Sequence, residues 1–151
     1  MFHSRKLNIK INRLHERCLR IVYNDTNSSF NDLLKKDNSV CNHHRNLQTL
    51  AIELYKIVKD QHPKFLDEIF LRHDNHKGTR NDSFFISRSI KTTYHGSESL
   101  SFLAPKIWDL VPKNLKDSPY IANFKKGIKM WIPNDCPCRI CKKYISGLGF
   151  F

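Results

Sequence analysis

The chain has 151 residues, of which 40% are hydrophobic and 11% aromatic, and this composition is typical of one folded domain rather than a disordered chain. Its net charge of +12 favours a polyanionic partner, with nucleic acid ahead of an anionic membrane. We expect no membrane partner, because no apolar run approaches the roughly 20 residues of a spanning helix. With no visible secretory signal, we expect an intracellular, reducing compartment.

The excess positive charge lies at the two ends of the chain. Residues 1–23 hold six Lys or Arg against one acid, and residues 118–151 again hold six against one. The residues between them hold fourteen against twelve, a net charge of only +2. The ends are therefore predicted to carry the binding surfaces, and the middle is predicted to be a scaffold.

The first predicted element is a helix from about Lys6 to Tyr23. An apolar stripe recurs at helical spacing and is expected to be buried: Leu7, Ile11, Leu14, Cys18 and Ile21. A basic row runs beside it and is predicted to contact phosphates: Lys6, Lys10, Arg13, Arg17 and Arg20. Two interpretations remain open, an anion-binding helix and a core helix whose charged face is merely solvated.

Ser29 is predicted to cap a short helix that runs through Leu33 and Leu34. A longer helix follows from about Cys41 to Lys59, and its apolar stripe is predicted to pack against that of the first helix. This second stripe consists of Leu47, Leu50, Ala51, Leu54, Ile57 and Val58. A short helix then begins at Pro63, and residues 72–83 are predicted to form a loop. Residues 84–94 contain two short β-prone runs, which leave a hairpin and an irregular segment equally open.

Two further helices are predicted near the end. One runs from Ser101 to Leu110, with Pro105 in its first turn. Ser118 is the predicted N-cap of the other, which ends before Pro133. Its apolar stripe consists of Ile121, Phe124, Ile128 and Trp131, and its predicted phosphate contacts are Lys125, Lys126 and Lys129. The predicted fold is mostly α: a single small helical domain over residues 1–133, with a hairpin as an option, and an irregular basic Cys-rich tail over 134–151.

No set of residues forms a convincing catalytic centre. Polymerases hold two metal ions with paired carboxylates, and this chain contains no Asp-Asp pair. Asp67 and Glu68 are adjacent on a short helix, where side chains diverge by about 100°. Cys41 and His44 would share a helix face, but no third group orients them, so an idle thiol is favoured. We expect no catalytic residue and no enzymatic activity in isolation.

The tail holds the pattern Cys136-Pro-Cys138-Arg-Ile-Cys141, which suits a zinc knuckle. Zinc takes four ligands, so a fourth ligand would have to come from a histidine upstream or from another chain. The upstream candidates are His43, His44, His73, His76 and His95. The alternative is three reduced cysteines in a loose tail, and the fourth ligand stays unknown.

Five ordered segments resemble the region that follows the polymerase core in jockey-like non-LTR (LINE-type) retrotransposon reverse transcriptases. They are LHERCLRIVYND, HHRNLQTLAIELYKI, SLSFLAPKIWDLVPKNLK, ANFKKGIKMWIP and CPCRICKKYI. The resemblance implies a C-terminal fragment of an RNA-directed DNA polymerase, without the catalytic carboxylates. It further implies that the fragment holds template RNA or primer DNA while an upstream polymerase core performs synthesis.

Two alternatives stay open beside this hypothesis. One is a zinc-stabilised protein-interaction module, and the other is a non-functional product of a truncated element. Trp108 and Trp131 could stack on bases, but both occupy apolar positions of predicted helices, which favours a place in the core.

Overall fold

The computed structural model describes residues 5–73, 84–86, 89 and 99–133. These residues form seven helices and no strand, which confirms the mostly α prediction. The helices are α1 (Arg5–Tyr23), α2 (Phe30–Lys36), α3 (Asn42–Val58), α4 (Leu66–Ile69), α5 (Leu100–Leu110), α6 (Lys113–Lys116) and α7 (Ile121–Ile128). The chain divides into two compact units, Met1–Leu47 and Gln48–Phe151. The boundary predicted after Pro133 stays a prediction, because residues 134–151 lie outside the described part.

The first unit is organised around buried leucines of α1 and α2. Its core consists of Leu19, Leu33 and Leu34, surrounded by Tyr23, Phe30 and Cys41. Ser29 caps α2 as predicted, since its Oγ accepts the backbone N–H of Asp32 at 3.2 Å. Asn24 and Asn38 follow α1 and α2 with φ values of 47° and 52°. Asparagine adopts this left-handed conformation more readily than most residues do. Both helices therefore end at an asparagine, whose backbone turns the chain away from the helix axis.

The predicted burial of the α1 apolar stripe is wrong. Leu7, Leu14 and Ile21 are 42%, 60% and 80% exposed, Cys18 is also exposed, and Ile11 is half-buried. The helix instead buries a neighbouring face that contains Leu19.

Hydrogen bonds explain why α1 buries this more polar face. The Asn8 carboxamide oxygen accepts the Asn42 side-chain amide at 3.0 Å, and Asn8 is only 2% exposed. The Asn12 oxygen accepts the backbone N–H of Asn42 at 3.3 Å. These bonds satisfy polar groups at the start of α3 that would otherwise be costly to bury.

The second unit has a core of stacked and edge-on aromatic rings. The Tyr55 ring of α3 stacks on Phe124 of α7, with 4.3 Å between centroids. Trp108 of α5 lies 6.2 Å from Phe124 and 6.1 Å edge-on to Phe85. Trp108 is 3% exposed and Trp131 is 9% exposed, so the prediction that both tryptophans belong to the core is confirmed.

Two polar side chains of α3 connect this core to later segments. The Tyr55 hydroxyl donates to the Ser118 carbonyl at 2.6 Å. The Gln48 amide donates to the carbonyls of Lys129 and Trp131, at 3.1 and 2.9 Å. Both side chains therefore satisfy backbone carbonyls that flank α7, which fixes the position of that helix within the unit.

Two predicted helix starts differ from the structure. Ser118 does not cap α7, which begins at Ile121 with Tyr120 as its N-cap. The Ser118 backbone instead ends the α6 turn, since its N–H donates to Leu115 and its carbonyl accepts from Tyr55. Pro105 lies inside α5, whose N-cap is Ser99, so it falls beyond the first turn. Its buried ring contributes to packing, at the loss of one backbone hydrogen bond.

The first β-prone run pairs with an earlier segment. An isolated antiparallel bridge joins Phe85 to Arg72, and the Ile86 N–H donates to the Leu71 carbonyl at 2.8 Å. The segment predicted as the other half of a hairpin, residues 90–94, lies outside the described residues. That hairpin therefore stays a prediction.

Candidate nucleic-acid interface

Helix α1 has three distinct faces. At about 100° per residue, the centre of the apolar face lies roughly 110° from that of the buried face and roughly 90° from that of the basic face. The buried face contains Asn8 and Leu19, the exposed apolar face contains Leu14, and the basic face contains Arg13. The apolar and basic faces are adjacent and both exposed, while the third face packs within the first unit.

The basic face consists of four exposed cations, Lys6, Lys10, Arg13 and Arg17. Among the described residues, none of them has a carboxylate partner within salt-bridge distance, whereas Arg20 pairs with Glu16 at 2.7 Å. From first to last, they extend about 16 Å along the axis, at roughly 1.5 Å per residue. This row can contact several successive phosphates, and no carboxylate of the described residues competes with the phosphates for these four cations.

Arg20, predicted to belong to the same row, has a structural role in the first unit. Its guanidinium donates to the carbonyls of Thr26 at 2.6 Å, Ser28 at 3.0 Å and Asp25 at 3.3 Å. A fourth bond goes to Glu16. The side chain thus fastens the loop after α1, and its donors are engaged within the protein.

The second unit carries the other predicted phosphate contacts. Lys125, Lys126 and Lys129 are all exposed, while Phe124 and Ile128 on the opposite face are completely buried. The predicted apolar stripe is thus confirmed for these two residues. Ile121 is only half-buried, and the buried Trp131 lies beyond the end of α7. Close packing of α6 supports α7, since a Cβ added at Gly127 would lie 2.4 Å from the Leu115 side chain.

The second unit also contains a cleft of about 390 Å³ with aromatic and cationic walls. It is lined by Val58, Lys59, Phe84, Trp108, Lys116 and Asp117. The Lys116 ammonium lies 5.4 Å from the centre of the Trp108 ring, and burial lowers the pKa of Lys116. Because Trp108 is almost completely buried, the ring contributes mainly to the core rather than to a stacking platform.

Cys41 and His44 contact each other as their helical spacing predicts. The Cys41 Sγ lies 3.3 Å from His44 Nδ1. Burial raises the pKa of the Cys41 thiol, which disfavours the thiolate needed for nucleophilic attack. The geometry thus favours a structural thiol.

Asp67, one of the two acids of α4, belongs to a local ion-pair cluster. Asp67 accepts from His62 at 2.9 Å and from Arg72 at 2.5 Å, and Arg72 also donates to Asp60. The bond from Arg72 and then that from His62 lower the pKa of Asp67. This carboxylate is therefore occupied by cationic and imidazole partners around the turn after α3.

The predicted zinc ligands Cys136, Cys138 and Cys141 lie outside the described residues, as do His76 and His95. Within the described ranges, no group of three His, Cys, Asp or Glu side chains is placed to hold a metal ion. His43 is buried, at 5% exposure, and His44 contacts Cys41. The zinc prediction and its fourth ligand therefore stay open.

In the described part of the chain, no helix is both long and apolar enough to cross a membrane. Comparison of the chain with protein-family models, with curated proteins and with solved structures finds no match.

Proposed function

We propose that this chain is a non-catalytic nucleic-acid-binding module, which holds template RNA or primer DNA through phosphate contacts. The observation that carries the proposal is the row of exposed cations on α1 with no acidic partner in the described residues. The net charge of +12 supports it, because an excess of this size attracts polyanions over long distances. The resemblance to the region beyond the polymerase core of LINE-type reverse transcriptases gives the proposal its biological setting.

The proposed binding is electrostatic and independent of sequence. Lys6, Lys10, Arg13 and Arg17 follow one another by three or four residues, so successive cations are about 4.5–6 Å apart along the helix axis. Such side chains neutralise phosphates and orient a strand, but they carry no base-reading information. Lys125, Lys126 and Lys129 provide a separate set of contacts in the second unit.

In this proposal, the chemistry belongs to an upstream polymerase core rather than to this chain. The Asp67 carboxylate is already bonded to His62 and Arg72, which leaves it poorly placed to hold a metal ion. A positioning module of this kind would raise the residence time of the template without changing the chemical step.

The test is the salt dependence of binding to a labelled single strand and to a duplex of the same sequence. If the four α1 cations each neutralise one phosphate, the plot of log K against log salt has a slope of about −2.8 for the single strand and −3.6 for the duplex. A slope near zero for the unmodified chain would refute the proposal.

Matched charge variants locate the surface. Arg13→Gln with Arg17→Gln should flatten the slope by about 1.4–1.8, because two phosphate contacts are lost. The control, Lys64→Gln with Lys113→Gln, removes the same charge from exposed sites elsewhere and should change the slope far less. Equal effects of both pairs would mean that overall charge, rather than α1, binds the nucleic acid.

A further inference from the structure

The exposed apolar face of α1 has the spacing of a coiled-coil seam. Leu7, Ile11, Leu14, Cys18 and Ile21 are separated alternately by four and three residues. This is the a/d repeat of a two-stranded coiled coil, with Leu7, Leu14 and Ile21 at d and Ile11 and Cys18 at a. We name these five residues the α1 seam. Four of them are exposed, and Leu14 and Ile21 are 60% and 80% exposed.

The two flanks of the α1 seam differ in charge and accessibility. On one flank, Lys10 and Arg17 occupy the g positions and are exposed. On the other, Asn8 is buried by its bond to Asn42, and the His15 ring contacts Phe30 edge-on with 5.7 Å between centroids. A helix that packs on the seam would therefore find its exposed and positively charged flank at Lys10 and Arg17.

We propose that the α1 seam binds an amphipathic helix of another polypeptide, whose own apolar seam is flanked by Glu or Asp facing Lys10 and Arg17. Charge complementarity determines this choice, since g-position cations pair with acidic residues on the partner helix. The proposal does not depend on nucleic-acid binding.

A second copy of the chain fits the α1 seam poorly. In an antiparallel pair, Lys10 and Arg17 of one copy would face the same cations of the other. In a parallel pair, they would face His15 and Val22, which offer no negative charge. Like charges or missing partners at these positions oppose self-association.

A lipid surface also fits the α1 seam less well than a helix does. Interfacial helices carry tryptophan, phenylalanine or leucine on a wide apolar face and lysine or arginine on the polar face. The seam contains no aromatic residue, and its second flank is occupied by Asn8 and His15 within the first unit. The narrow a/d repeat suits one facing helix better than a planar interface.

The test measures binding of the full chain to two labelled synthetic peptides of three heptads each, by fluorescence anisotropy. Both peptides carry leucine and isoleucine at a and d, and they differ only in having glutamate or lysine at e and g. We expect the glutamate peptide to bind roughly tenfold more tightly at low salt, because its two ion pairs are replaced by two like-charge contacts in the lysine peptide. Equal affinity for the two peptides would overturn the proposal.

Substitutions in the α1 seam give the second arm of the test. Leu14→Asn should weaken glutamate-peptide binding by roughly ten- to a hundredfold, because a leucine side chain no longer becomes buried. The matched control is Met130→Asn, since Met130 is also an exposed apolar side chain, at 69% exposure, and should leave binding unchanged. Arg17→Glu should shift preference towards the lysine peptide. Circular dichroism spectra verify that each variant is folded.

Three further outcomes would overturn the proposal. Sedimentation that shows a dimer lost in Leu14→Asn would assign the α1 seam to a second copy. Leu14-dependent binding to phosphatidylcholine–phosphatidylserine vesicles without peptide binding would assign it to lipid. Loss of peptide binding in Arg13→Gln, whose side chain lies away from the seam, would mean that the peptide is held by general charge. Nucleic-acid binding is measured separately on the same variants, so either proposal can fail alone.

Discussion

The hydrogen bonds from Arg20 to the loop after α1, which we call the loop clamp, give a prediction about stability. Arg20→Gln removes two short charge-assisted hydrogen bonds, to the carbonyls of Thr26 and Ser28, and a longer one to Asp25. A hydrogen bond to a charged group contributes about 1.5–3 kcal/mol, but the side chain is 27% exposed and water can replace part of each bond. The ion pair with Glu16 adds only about 0.3–0.5 kcal/mol. The expected loss is therefore about 2 kcal/mol.

Urea unfolding followed by far-UV circular dichroism measures this loss. Both tryptophans, Trp108 and Trp131, lie in the second unit, so their fluorescence follows that unit separately. The matched control is Arg13→Gln, an exposed arginine on the same helix, which should change the free energy of unfolding by less than about 0.5 kcal/mol. If Arg20→Gln and Arg13→Gln had the same small effect, the clamp would contribute nothing to stability and the reasoning would be refuted.

Three more predictions follow from burial and pKa shifts. Hydrogen bonds from the Ser28 backbone and hydroxyl hold the pKa of Asp25 below its ordinary value, so its stabilising effect is complete above the unfolded-state pKa and is lost as pH falls through the folded-state pKa. The urea concentration at the unfolding midpoint should therefore decrease when the pH is lowered below about 4. In Asp25→Asn, this decrease should be smaller. Iodoacetamide at neutral pH should modify exposed Cys18 before Cys41, whose pKa burial raises, as mass spectrometry can show. Leu19→Ala should destabilise the chain, whereas Leu14→Ala should not.

Sequence pattern predicts six of the seven described helices, all but the short α6, because helix boundaries depend largely on local chemistry. Ser29 caps α2 and Asn24 follows α1 in a left-handed conformation, and both are effects of residues adjacent to the helix end. The predicted Ser118 cap is not formed, since α7 begins at Ile121 with Tyr120 as its N-cap. The Ser118 carbonyl accepts from Tyr55, which is 63 residues away in the chain, and no local rule detects that bond.

Among the predicted binding residues, some have positions that follow from the helical pattern, and others depend on contacts that the pattern does not show. Exposure of Lys125 and burial of Phe124 follow from one amphipathic pattern, so they are predictable from the sequence. The use of Arg20 as a loop clamp is not predictable in that way. It depends on the carbonyl positions of residues 25–28, which are set by the turn rather than by helical spacing.

The largest difference between prediction and structure is which face of α1 is buried. The free energy of unfolding of two leucine variants tests this difference. Leu19 is 5% exposed in contact with Leu33 and Leu34, so Leu19→Ala should lower the free energy of unfolding by about 2–5 kcal/mol. Leu14 is 60% exposed, so Leu14→Ala should change it by less than about 0.5 kcal/mol. Hydrophobic periodicity alone favours burial of Leu14, because it ignores the hydrogen bonds by which Asn8 and Asn12 hold Asn42. A loss of 2 kcal/mol or more in Leu14→Ala would mean that the α1 seam is already covered within the chain, and the seam could not then receive a partner helix.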